Sequence, residues 1–127
     1  MAQCSSRRRH RALIVEDELM IALDLEDAMS ALGFDICCLA STADTARSIA
    51  MDYQPDVVLM DVNLDGGREG IEAGRWLREV CDVPVIFVTA YSDEGTIARI
   101  HEHLPGAPIL TKPVYPQILA DAVAAVI

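Results

Sequence analysis

Near its midpoint the chain reads Val57-Val58-Leu59-Met60-Asp61, four consecutive apolar residues followed by a carboxylate. A continuous apolar run of this length is typical of a strand buried on both faces, as in a parallel sheet covered by helices. Further strand-sized runs recur along the sequence at Ala12–Val15, Phe34–Leu39, Val85–Val88 and Ala107–Leu110. The sequence therefore predicts five strands of one parallel sheet.

Segments with helical periodicity separate these runs. The first helix is predicted to end at Gly33, and the others to begin near Ser41 or Thr42, Gly70, Ser92 or Asp93, and Tyr115 or Pro116. Val80 in the third helix and Ile118 in the fifth are among the residues expected to face the core. The alternation indicates an α/β fold of the (βα)5 type, a doubly wound, flavodoxin-like sheet of order 2-1-3-4-5 with helices on both faces.

Length and composition limit the class of protein. The 127 residues suffice for one domain, and 52% apolar and 24% charged residues are ordinary globular values. No apolar run approaches the roughly 20 residues that a bilayer requires, so we expect no membrane association and a cytoplasmic location. The four cysteines show no metal-binding spacing, and the neighbours Cys37 and Cys38 are expected on opposite faces of a strand.

Charge is unevenly distributed along the chain. The net charge is −10, yet four of the ten basic residues are Arg7, Arg8, Arg9 and Arg11. We expect residues 1–10 to form a disordered basic tail and residues 11–127 to form the domain. Because the domain is strongly acidic, direct nucleic-acid binding by it is not expected.

Chemically distinctive residues stand where the predicted strands end. Glu16 and Asp17 follow strand one, and Asp61 ends strand three. Because these strand ends share one crevice in the doubly wound fold, the three carboxylates should converge there. Carboxylates packed so closely favour a bound cation, and hard oxygen ligands select Mg²⁺.

Two more side chains are predicted at this crevice. Lys112 follows strand five and Thr89 ends strand four, which adds an ammonium group and a hydroxyl beside Asp61. A carboxylate between a metal ion and an ammonium can act as a nucleophile toward phosphorus and form an aspartyl-phosphate. Each residue alone has an ordinary structural interpretation, as a helix cap, a turn or a solvated charge.

At these residues the chain resembles the receiver domain of two-component response regulators. The similarity covers essentially Ala12 to Val126 and includes Leu13-Ile14-Val15-Glu16-Asp17-Glu18, Val57-Val58-Leu59-Met60-Asp61, Val85-Ile86-Phe87-Val88-Thr89-Ala90 and Lys112-Pro113. The resemblance implies a phosphorylation-dependent switch of the stand-alone, single-domain type. Such a protein is not a dedicated enzyme, but it catalyses its own aspartyl phosphorylation and dephosphorylation.

The resemblance also implies individual roles. Asp61 would accept phosphate from a phosphohistidine on a sensor histidine kinase or phosphotransfer protein. Glu16, Asp17, Asp61 and the backbone carbonyl of Asn63 would hold Mg²⁺, with Asp17 a direct ligand. Thr89 and Lys112 would contact the phosphoryl group, and the Lys112-Pro113 bond would be cis. Output would pass to a downstream protein target, with a possible homodimer through helix four, strand five and helix five.

Two features depart from the family pattern. The segment 62–70 is rich in glycine where receivers usually have a Met-Pro loop, and Ile109 stands where they tend to carry an aromatic residue. These departures keep open an alternative, a pseudo-receiver binding module that does not use phosphorylation. A flavodoxin-like cofactor protein is disfavoured, because carboxylates occupy the loop that would bind the FMN phosphate.

Overall fold

The computed structural model describes residues 10–64, 69–90 and 94–127. The predicted basic tail, apart from His10, lies outside these ranges. So do the predicted helix caps Ser92 and Asp93 and residues 65–68 of the glycine-rich segment.

Five parallel strands form one sheet. Their order is β2-β1-β3-β4-β5, which confirms the predicted flavodoxin-like arrangement. The strands are β1 (Arg11–Val15), β2 (Asp35–Ala40), β3 (Val57–Asp61), β4 (Val85–Thr89) and β5 (Ile109–Thr111). All five residues of β3 and of β4 are buried, as their continuous apolar sequences predict.

A helix follows each strand. The helices are α1 (Leu19–Ala31), α2 (Ala43–Tyr53), α3 (Glu69–Cys81), α4 (Glu94–His103) and α5 (Pro116–Val126). The Thr42 side chain caps α2 by accepting a hydrogen bond of 3.1 Å from the Thr45 backbone N–H. Thr42 is one of the two residues predicted to cap this helix. None of the described helices has the length and hydrophobicity that a membrane span requires.

The helices form two layers on opposite faces of the sheet. Helices α1 and α5 pack with one hydrophobic cluster on one face of the sheet, and α2, α3 and α4 pack with a second cluster on the other. Neither α1 (Leu19–Ala31) nor α5 (Pro116–Val126) contains a lysine or arginine, and together they carry four acidic residues. The second layer, formed by α2, α3 and α4, mixes charges of both signs: it contains seven acidic residues and the four arginines Arg47, Arg75, Arg78 and Arg99.

Two residues predicted to face the core do not. Val80 is 53% exposed and Ile118 is 50% exposed. In α3 the buried stripe is formed by Ile71, Ala73 and Leu77, and Cys81 rather than Val80 continues it against the cluster. The sequence pattern does not distinguish these positions because the helix rotation is set by the neighbouring elements.

The two adjacent cysteines also differ from the prediction. The register of β1 against β2 shifts, so that Ala12 pairs with Ile36 but Leu13 pairs with Cys38. Cys37 is therefore the extra residue of a β-bulge. As a result Cys37 and Cys38 both pack against the same hydrophobic cluster, whereas a regular strand would place them on opposite faces.

Candidate functional site

The predicted site residues lie together at the C-terminal end of the sheet. Glu16 directly follows β1, Asp61 ends β3, Thr89 ends β4 and Lys112 directly follows β5. The Glu16 backbone N–H donates to the Ala40 carbonyl at 2.9 Å and so extends the pairing with β2. The parallel sheet thus brings together groups that are far apart in the sequence.

Three carboxylates form a compact acidic cluster. One carboxylate oxygen from each of Glu16, Asp17 and Asp61 lies within 4.8 Å of the other two. Glu16 and Asp61 are each only 4% exposed, whereas Asp17 is exposed. This oxygen-only donor set, buried on one side and open on the other, fits a hard divalent cation such as Mg²⁺.

Lys112 joins two members of this cluster. Its Nζ lies 2.8 Å from Glu16 Oε1 and 3.5 Å from Asp61 Oδ1, and its side chain is only 13% exposed. The Lys112-Pro113 peptide bond is cis, and the Lys112 backbone N–H donates to the Thr89 carbonyl at 2.8 Å. The lysine therefore pairs more closely with Glu16 than with Asp61, which the sequence analysis did not predict.

The pKa values of both members of this pair are raised, for different physical reasons. Burial raises the pKa of Glu16 from 4.5 to about 7; the hydrogen bond with Lys112 opposes this rise, and the Asp61 charge adds to it. For Lys112, burial alone would lower the pKa, but the hydrogen bond with Glu16 and the charge of Asp61 raise it overall. Lys112 is therefore a fixed positive charge, while Glu16 titrates near neutrality.

Backbone N–H groups orient the carboxylates. The Asn63 backbone N–H donates to Asp61 Oδ1 at 3.2 Å, and the Glu18 N–H donates to Glu16 Oε2 at 3.3 Å. Asn63 thus contacts Asp61 through its N–H, whereas the backbone group predicted to bind the metal is its carbonyl. Each contact joins a carboxylate to the residue two positions later, which is the spacing of an Asx-type turn.

Gly70 is a site-supporting residue that the sequence analysis did not single out. Its backbone N–H donates to the Val62 carbonyl at 3.2 Å, and a Cβ at this position would overlap the Asp61 carbonyl oxygen. Helix α3 can therefore begin directly against the end of β3 only if this residue is glycine. The sequence feature that could have identified Gly70 is a glycine at a predicted helix start, nine residues after Asp61.

Thr89 and Ile109 lie in the neighbouring strands β4 and β5. Thr89 is fully buried and pairs in register with Thr111 of β5. Ile109, which stands where an aromatic residue was expected from the resemblance, pairs in register with Phe87 and packs against the cluster of the second layer.

A groove of about 380 Å³ adjoins the lysine. It lies between α1 and the segment after β5. Its apolar part is formed by Ile21, Leu25, Ala28, Ala90, Pro113 and Val114, while Glu18, Asp24 and Lys112 supply its charges.

A doubly wound sheet with an acidic cluster, a buried threonine and a lysine at adjoining strand ends is the arrangement of a receiver domain. Residues 12–124 match the family model described as "Response regulator receiver domain". The chain belongs to this family.

Comparison with individual proteins agrees with this assignment. The chain is 40% identical over 82 residues to the "Phyllosphere-induced regulator PhyR" of Methylorubrum extorquens, covering 64% of this chain and 31% of that protein. It is 32% identical over 92 residues to the "Transcriptional regulatory protein PdtaR" of Mycobacterium tuberculosis, covering 72% of this chain and 44% of that protein. The chain thus spans less than half the length of these relatives.

A solved structure shows the same fold. The signal receiver domain of a modulated diguanylate cyclase from Desulfovibrio desulfuricans G20 superimposes with a TM-score of 0.83 at 31% sequence identity. The superposition covers 91% of each chain.

Proposed function

We propose that this chain is a phosphorylation-dependent signalling switch in which Asp61 accepts a phosphoryl group from a phosphohistidine. The phosphodonor is a sensor histidine kinase or a phosphotransfer protein. The observation that carries this proposal is the convergence of Glu16, Asp17 and Asp61 within 4.8 Å, with the Lys112 ammonium 3.5 Å from Asp61.

The residues support an in-line transfer to Asp61. A carboxylate oxygen of Asp61 attacks phosphorus, the phosphorus–nitrogen bond of the phosphohistidine breaks, and the imidazole leaves with the bonding electrons. The Asn63 N–H, 3.2 Å from Oδ1, holds the Asp61 carboxylate in place. Lys112 supplies positive charge beside the transferred group, and we assign to the Thr89 hydroxyl a hydrogen bond with that group after transfer.

We assign the metal role to Glu16, Asp17, Asp61 and the Asn63 carbonyl, with Asp17 as a direct ligand because it is the exposed member of the cluster. When bound, Mg²⁺ offsets the repulsion between the carboxylates and the phosphoryl oxygens.

We further propose that output passes through protein contacts rather than through DNA or a membrane. The acidic α1 and α5 helices disfavour a phosphate backbone as a direct ligand. A cytoplasmic location and a downstream protein target follow from the proposed exchange with a kinase.

The test is labelling with a small phosphodonor. Incubation with Mg²⁺ and acetyl phosphate should add one phosphoryl group, about 80 Da, as expected for a single aspartyl ester. Asp61→Asn should abolish the mass increase because the nucleophilic oxygen is lost. Asp121 is exposed on the outer face of α5, so Asp121→Asn serves as the matched control. This variant should be phosphorylated to the same extent as the parent.

Two outcomes would contradict the proposal. Labelling that persists in Asp61→Asn would place the nucleophile elsewhere. No labelling of the parent by acetyl phosphate or by a panel of phosphorylated histidine kinases would favour the pseudo-receiver alternative.

A further inference from the structure

The β-bulge of the edge strand β2 places two thiols on one side of the sheet. In a regular strand, consecutive side chains point to opposite faces, so adjacent cysteines cannot bind one ligand together. Here Cys37 is the extra residue between the pairs Ala12–Ile36 and Leu13–Cys38. Both cysteines consequently pack against the hydrophobic cluster of the second layer.

The two thiols belong to consecutive residues and are partly exposed. Both are free and only half-buried. Cys37 Sγ donates a weak hydrogen bond of 3.3 Å to the Ala12 carbonyl, and Cys38 Sγ donates one of 3.5 Å to the Leu39 carbonyl. Burial raises the pKa of the Cys37 thiol, and charge on the neighbouring Cys38 also raises it.

The strand position leaves this pair approachable. β2 is the first strand in the sheet order, so its outer edge pairs with no other strand of the described residues. Although both cysteines pack against the cluster, each keeps part of its surface exposed, so a ligand has access to them at this edge strand.

From this geometry we propose that Cys37 and Cys38 form a dithiol site for trivalent arsenic, a soft, thiophilic species that takes two thiolates at once. Thiolates are the side chains that select soft ions in proteins. The site is separate from the carboxylate cluster, and the proposal does not depend on phosphorylation of Asp61.

The reaction with an organic arsenical is balanced without an oxidant or reductant. Phenylarsine oxide reacts with two thiols, its arsenic–oxygen bonds break, and two arsenic–sulfur bonds form. The oxygen leaves as water with both thiol protons. Arsenic remains trivalent, so the product is a cyclic dithioarsenite that spans the two adjacent residues.

The test uses the full chain, reduced, with one equivalent of phenylarsine oxide, and native intact-mass measurement. The parent should form a one-to-one adduct that survives excess glutathione, a monothiol, and that a small dithiol removes. Cys37→Ser and Cys38→Ser should each weaken binding on the order of 100-fold, because the second thiolate no longer binds intramolecularly.

The other two cysteines provide matched controls. Cys81 is also a half-buried free thiol, and its Sγ lies 3.8 Å from the Met51 thioether. Cys4 lies outside the described residues. Cys81→Ser and Cys4→Ser should each retain the glutathione-resistant adduct.

A second measurement in the unmodified parent does not depend on how the variants fold. Bound arsenical should protect Cys37 and Cys38 together from alkylation and leave Cys81 reactive. The proposal is overturned if either single β2 variant keeps the resistant adduct, if a control variant loses it, or if protection falls on another cysteine.

Discussion

At the scale of single residues, Glu16 makes stability depend on pH. Its pKa rises from 4.5 to about 7 on folding. At a pH between these two values, the folded protein therefore keeps a proton on Glu16 that the unfolded chain has released. The contribution of Glu16 to stability therefore falls as the pH rises from about 4.5 to about 7. Glu16→Gln removes this titration and should gain stability relative to the parent over that range, up to about 3 kcal/mol.

Urea unfolding in the presence of a chelator measures this difference. Asp27→Asn removes an exposed carboxylate of α1 and is the control, whose difference from the parent should stay flat with pH. A Glu16→Gln difference that is equally flat, or that favours the parent increasingly at high pH, would show that burial does not hold the proton on Glu16.

The residue types of the site could be predicted, but their pairing could not. Glu16, Asp61, Thr89 and Lys112 stand at strand ends, and the parallel order of the sheet brings strand ends together. The closer pairing of Lys112 with Glu16, at 2.8 Å, depends on side-chain positions that no spacing in the sequence determines. The pKa shift of Glu16 depends on the same positions.

At the scale of elements, the contact between α3 and β3 rests on one glycine. A methyl group on Gly70 would meet the backbone carbonyls of Asp61 and Val62, and backbone atoms cannot yield as the end of a side chain can. Gly70→Ala should therefore destabilise the fold by about 1 to 3 kcal/mol, the range of an overpacked core position, and slow labelling of Asp61.

Gly95→Ala is the matched control in an exposed position of α4, where alanine should be neutral or slightly stabilising. Urea unfolding and acetyl phosphate labelling provide the two readouts. A Gly70→Ala protein as stable as the Gly95→Ala protein would show that α3 can shift away from Asp61 without loss.

The elements themselves were largely predictable. Four of the five apolar runs overlap their strands almost fully, and the glycine, proline and threonine signals mark the helix ends. The fifth run, Ala107–Leu110, contributes only its last two residues to β5, because Pro108 precedes the first paired residue. The bulge at Cys37 was not predictable, since it arises from the pairing of β2 with β1 rather than from either strand alone.

At the scale of the whole molecule, the surface of α5 bears on assembly. Ala124 and Ala125 are exposed, Ala120 is half-buried, and Asp121 is the only charge of the helix. We predict that phosphorylation promotes self-association through α4, β5 and α5. Ala120→Glu combined with Ala124→Glu should prevent that association, because like charges would meet across the interface, and should leave labelling of Asp61 intact.

Light scattering with and without acetyl phosphate measures the associated state. Ala31→Glu, at an exposed position of α1, is the control and should associate like the parent. If the doubly charged variant also associates like the parent, the contact surface lies elsewhere, and the exposed Leu19, Met20 and Leu23 of α1 become the next surface to test.

The helix charges of the α1 and α5 layer are all of one sign, which has a consequence for encounter with a partner. These two helices carry acidic residues and no lysine or arginine, whereas α2, α3 and α4 mix four arginines with seven acidic residues. An approaching protein with a basic surface meets only attractive helix side-chain charges on the α1 and α5 layer, but both attractive and repulsive ones on the other layer. Added salt shortens the reach of this preference to about one Debye length.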